Sequence, residues 1–177
     1  MTTSKQLEIR RVLAVRASTL LQEGYHCSEA VVLAIGPAVV RDWHPACARM
    51  ATGFAGGLGG SRQEVCGALA GGIMVIGALF GRTTLEDDTL AQRLTEQFRK
   101  RFTDTFGTAQ CIRLREDVVE AENGLGSCSV LVERATMILL QVLVDAGVQL
   151  KEEVLPTARI AEGEQSTGGS DRSEDVR

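Results

Sequence analysis

Four cysteines of this chain share a local setting. Cys27 precedes Ser28-Glu29-Ala30 at an expected helix start, and Cys66 follows a glycine-rich loop at the start of another. Cys111 comes shortly after Gly107, which is placed to end a helix, and Cys128 opens the last apolar repeat. Unpaired backbone N–H groups and the positive end of the helix dipole favour a thiolate at such positions. Core filling would not gather cysteines at helix starts, because a buried cysteine acts as a small hydrophobe wherever space allows. Four thiolates are the ligand count of the common iron–sulfur clusters and of a four-cysteine zinc site. The same residues as free thiols suit disulfide exchange. No CxxC pair occurs, so the zinc-finger and zinc-ribbon spacings are absent, and any shared site must be assembled by the fold.

Cys47 is different. It sits in His44-Pro45-Ala46-Cys47-Ala48-Arg49-Met50 and reads as an ordinary buried cysteine. The run Gly53-Phe54-Ala55-Gly56-Gly57-Leu58-Gly59-Gly60-Ser61-Arg62 lacks the Lys-Ser/Thr of a phosphate-binding loop and follows no strand. Its glycines offer close backbone approach. Gly57, Gly59 and, beside Cys66, Gly67 are the positions expected to bring backbone to a cofactor, where N–H groups near sulfur tune its potential. A plain tight turn between helices is compatible with that reading. His26, next to Cys27, is a candidate base, ligand or surface cap. With His44 the only other histidine, a hydrolytic triad has no support.

The elements that must position these residues are helices. Ile9, Leu13, Ala17, Leu20 and Leu21 give residues 4–23 one apolar face, with Arg10, Arg11 and Arg16 expected outside. A second helix runs from Cys27 to Gly36-Pro37, and a third begins near Pro45. A central apolar helix is expected from about Gln63 to Gly81. Asp87-Asp88 open the next, whose Leu90, Leu94, Phe98, Phe102 and Phe106 make a core stripe. The last starts at Ser127-Cys128 and buries Leu131, Ala135, Ile138, Leu139 and Val142. No segment shows convincing strand alternation. The expectation is an all-α bundle of five to six helices with a glycine-rich loop before the central one. Residues 1–155 form that domain, and 156–177, rich in Gly, Ser, Glu and Asp, form a polar tail without periodicity.

Composition narrows the function. Apolar residues make up 44% of the 177 residues, enough for a core without disulfides, and aromatics only 4%. The net charge of −4 with scattered bases excludes a nucleic-acid footprint. The uncharged run Val65 to Phe80 falls short of the roughly 20 residues of a spanning helix, so no membrane insertion is expected. The first residues lack a secretory pattern. The expected compartment is the cytoplasm, where cysteines stay reduced and read as metal-binding or redox-active.

Gly24-Tyr25-His26-Cys27-Ser28-Glu29-Ala30-Val31, Gly53-Phe54-Ala55-Gly56-Gly57, and Glu64-Val65-Cys66-Gly67-Ala68-Leu69-Ala70-Gly71, followed by Cys111 and Cys128, together resemble the C_GCAxxG_C_C family of redox-active proteins. The CGAxxG element is met by residues 66–71, and the resemblance covers about residues 5–146. It implies that Cys27, Cys66, Cys111 and Cys128 are the ligand or redox set. A related domain of split-Soret cytochromes resembles an iron–sulfur holder. No haem-attachment CxxCH is present, so the cytochrome part is not carried over, and Cys47 receives no role.

The first expectation is therefore an electron-transfer protein with an iron–sulfur cluster, 2Fe–2S by analogy, serving a redox partner protein. A metal-free thiol–disulfide oxidoreductase or redox sensor is the second, and a structural zinc module the third. A homodimer is a further expectation.

Overall fold

The computed structural model describes residues 3–151; the expected tail over 156–177 lies outside them. Seven α-helices are found among the described residues: α1 (Thr3–Gln22), α2 (Cys27–Val39), α3 (Ala46–Ala51), α4 (Gly67–Phe80), α5 (Thr89–Phe106), α6 (Cys111–Leu114) and α7 (Cys128–Asp145). Among the described residues no strand accompanies them beyond one isolated antiparallel bridge between Val65 and Gln110. The fold is all-α, as expected. The helix beyond the expected six is α6, which continues as a π-helical turn over Arg115–Val119.

Helix α4 lies against α2, α1 against α7 and α2, and α5 against α4 and α7. The shared core holds Ile9, Leu13 and Leu20 of α1, Val31 and Ile35 of α2, and Leu69 and Ile76 of α4. From α5 and α7 come Leu94, Phe98, Phe102 and Phe106 with Leu131, Leu139 and Leu143. The three Phe rings of α5 meet edge-on, with centroids 6.3 Å apart for Phe98–Phe102 and 4.8 Å for Phe102–Phe106.

Five expectations need correction. The central helix begins at Gly67, not Gln63, because residues 62–66 hydrogen-bond to 109–112 instead of coiling: Cys66 N–H donates to the Ala109 carbonyl and Cys111 N–H to that of Glu64, both at 2.8 Å. Leu90 is 39% exposed; in the first turn of α5 it is Ala91 that faces the core. Arg10 is half-buried rather than outside, with its guanidinium bonded to Gln141 of α7. Cys47 is half-buried too, on the wall of an open groove between α2, α3 and α4. Pro37 also does not end α2, which runs on to Val39; the Trp43 ring lies over Gly36, where a Cβ would sit 2.1 Å from it.

Candidate functional site

Each of the four cysteines occupies a helix start. Cys27, Cys111 and Cys128 are the first residues of α2, α6 and α7, and Cys66 is the N-cap of α4. The start of α2 is fixed from two sides. Glu29 accepts the His26 N–H at 2.9 Å and the Thr52 hydroxyl at 2.5 Å, while the buried Ser28 hydroxyl donates to the Ala51 carbonyl at 2.7 Å. The start of α7 is capped by Ser127, whose hydroxyl accepts the Val130 N–H at 3.4 Å. The paired segments 62–66 and 109–112 set Cys66 and Cys111 on adjacent backbones.

These starts converge. Cys27, Cys66, Cys111 and Cys128 line one cavity of about 300 Å³, closed by Leu21, Leu114, Val119, Leu131 and Val132. His26, Gly56, Gly60, Arg62 and Arg115 complete its wall. Cys66 is buried, Cys27 and Cys111 are half-buried, and Cys128 is the most open; none is in a disulfide. Cys47 faces a separate groove.

The electrostatics follow the geometry. Burial pushes the Cys66 thiol up to about 12, and the nearby Cys27 sulfur adds to this, while the Ala68 and Leu69 N–H groups of the first α4 turn work against it. Desolvation also raises Cys111 and Cys128, each reinforced by Cys27 and opposed by Arg62 and Arg115. Cys27 thus acts on each of the other three sulfurs. Among the described residues, no three His, Cys, Asp or Glu side chains converge closely enough to hold a single metal ion. The cysteines surround a space rather than a point.

A model of the family described as "Putative redox-active protein (C_GCAxxG_C_C)" matches residues 25–142, a stretch that contains all four cysteines. The chain belongs to this family. No curated protein matches it, and no solved structure does.

In this member of the C_GCAxxG_C_C family, the glycines of the CGAxxG element have a steric reason. A Cβ at Gly67 would lie 2.3 Å from the Cys27 Sγ, and one at Gly71 would lie 2.6 Å from the Ser28 carbonyl oxygen. Spaced one turn apart, the two glycines let α4 approach α2 at the point where Cys27 is carried. Gly72 does the same for α5, since its Cβ would meet Phe98 at 2.3 Å.

The expected loop glycines divide. Gly57 (φ +71°) packs on Cys111, whose Cβ would be 2.8 Å from a side chain there. Gly59 is exposed, has no neighbour where its Cβ would be, and is not on the cavity wall. Gly56 and Gly60 line it instead. Residues 56–60 all take positive φ, a left-handed turn that periodicity cannot reveal. Arg62 and Arg115 were missed as well, and only their positions four residues before Cys66 and after Cys111 could have drawn notice.

Proposed function

We propose that the chain is an electron-transfer protein holding an iron–sulfur cluster, 2Fe–2S in nuclearity, on Cys27, Cys66, Cys111 and Cys128. The observation that carries this reading is the single cavity lined by all four thiols within apolar walls. The donor set fits the group: four soft sulfur ligands enclose a space, which suits a cluster of irons and sulfides better than one tetrahedral zinc. When bound, the cluster supplies reversible one-electron chemistry.

The chain's own residues do the rest. The helix starts and the first-turn N–H groups of α4 favour negative sulfur and oppose in part the burial that raises the Cys66 thiol. Leu21, Leu114, Val119, Leu131 and Val132 keep water from the inner sulfurs, and the more open Cys128 is the side nearest a redox partner protein. No helix among the described residues is long and apolar enough to cross a membrane. A reducing compartment such as the cytoplasm keeps the thiols available.

The test is purification without oxygen, followed by a visible spectrum and counts of iron, sulfide and zinc per chain. Broad visible absorption with about two irons per chain supports the reading. A colourless protein with one zinc, or one without metal whose thiols cycle with disulfides, would replace it.

A further inference from the structure

The wall of the four-cysteine cavity carries two cationic side chains, Arg62 and Arg115, and among the described residues no carboxylate lines it. The two cations are not equivalent. Arg115 is ion-paired with Glu120 at 2.5 Å, so its charge is largely cancelled at a distance. Arg62 has no carboxylate partner among the described residues. Both act on Cys111 and Cys128.

The backbone of Arg62 is unusual. Its φ is +63°, a region that residues other than Gly, Asn and Asp seldom enter. It is held there on both sides. Its N–H donates to the Gly56 carbonyl and its own carbonyl accepts the N–H of Ile112, the residue after Cys111, both at 2.8 Å. Its Cα lies 2.9 Å from where a Gly57 Cβ would be, and that same Cβ would be 2.8 Å from the Cys111 Cβ. Arg62, Gly57 and Cys111 thus crowd one point. Glycine would meet this conformation without strain, as Gly56, Gly57, Gly59 and Gly60 do just before it. The exposed Arg62 side chain is no part of the core. Leu58 shares this φ, +63°, but does not line the cavity; of the two, only Arg62 brings a charged side chain to its wall.

We propose that Arg62 sets the charge balance of the four-cysteine site: its guanidinium, held at the cavity wall by the left-handed backbone, stabilises the reduced state of the electron carrier bound there. The assignment rests on the cluster reading above. Uptake of one electron from an external one-electron donor adds one negative charge to a site already bearing four thiolates, and a cation at its wall without a carboxylate partner favours that form. Arg62 is a positioning residue of charge, not a ligand.

The experiment compares Arg62→Gly and Arg62→Lys with the native full-length chain, loaded and handled without oxygen. Arg62→Gly melts at or above the native temperature, because the strain is relieved. Its one-electron reduction equilibrium constant falls about five- to tenfold at low ionic strength, tenfold being 59 mV. Arg62→Lys keeps most of the native potential, and the difference shrinks in 1 M salt. In the metal-free chain, iodoacetamide reacts several-fold more slowly with Cys111 and Cys128 in Arg62→Gly than in Arg62→Lys. An iron-loaded Arg62→Gly with native potential overturns the assignment alone. Destabilisation of Arg62→Gly overturns it too, by showing a structural role. A native chain that binds no iron sinks the cluster reading, and unchanged alkylation rates in that chain sink Arg62 as well.

Discussion

Replacing Gly67 with alanine puts a methyl carbon 2.3 Å from the Cys27 Sγ, 3.1 Å from the Phe54 carbonyl oxygen and 3.3 Å from the Ser28 nitrogen. Carbon contacts are comfortable at about 3.5–4.0 Å, so the sulfur must retreat by more than about 1 Å or the start of α4 must lift away. Overpacking of this kind costs about 1–3 kcal/mol, and in a chain of this size each kcal/mol lowers Tm by about 2–4 °C. The expected fall is therefore about 2–12 °C. The effect on the site is sharper, because ligand positions are tolerated to about 0.2 Å and Cys27 is displaced several times further. Gly67→Ala thus loses most of its iron even at temperatures where it remains folded. Gly77→Ala is the control: no atom lies within 4 Å of the added carbon, and alanine in the exposed part of α4 gains about 0.5–1 kcal/mol over glycine. Thermal melts followed by circular dichroism, with iron counted on the same samples, decide the matter. A Gly67→Ala protein with native Tm and full iron would refute the close approach of α4 to Cys27.

Three further outcomes follow from the packing and the caps. Phe98→Ala removes a fully buried ring resting on Gly72 and lowers stability by about 3–5 kcal/mol in denaturant unfolding. Ser127→Ala deletes the cap of α7 and costs about 0.5–2 kcal/mol, with iron content falling along with it because Cys128 is the next residue. Glu29 is held below its ordinary value of 4.5: slight burial opposes the shift, but the Thr52 hydroxyl and the His26 N–H outweigh it. A depressed carboxylate stabilises the fold above its unfolded pKa and loses that contribution as pH falls through the folded value. Thr52→Val accordingly flattens the acid limb of stability just below pH 4.5, as read by unfolding at a series of pH values.

The helices were legible where an apolar stripe persists. Leu13-Ala17-Leu20 and Leu94-Phe98-Phe102-Phe106 repeat at helical spacing and are buried as read. The placement of cysteines at helix starts was legible for a related reason, since caps and breakers flank them locally. What failed to show was structure made by pairing rather than period. Residues 62–66 and 109–112 exchange hydrogen bonds across nearly fifty positions, form a single bridge and carry no alternation, so the start of α4 was placed too early. Helix α6 and its π turn lie in a charged stretch whose buried positions, Leu114 and Val119, are too few to display a face. The left-handed turn at 56–60 explains why Gly56 and Gly60, rather than Gly59, reach the cavity: in a turn of that hand, order along the chain does not give direction in space. Arg62 escaped notice because an unpaired surface arginine looks the same in sequence whether or not its backbone is strained.

The most direct test of the central claim replaces each of the five cysteines with serine, one at a time, and counts iron and sulfide after loading without oxygen. The four-cysteine site predicts that Cys27→Ser, Cys66→Ser, Cys111→Ser and Cys128→Ser each lose or alter the visible spectrum, while Cys47→Ser, in its separate groove, keeps the native spectrum and iron content. Iron and colour retained unchanged in any of the first four, or lost in Cys47→Ser, would contradict it.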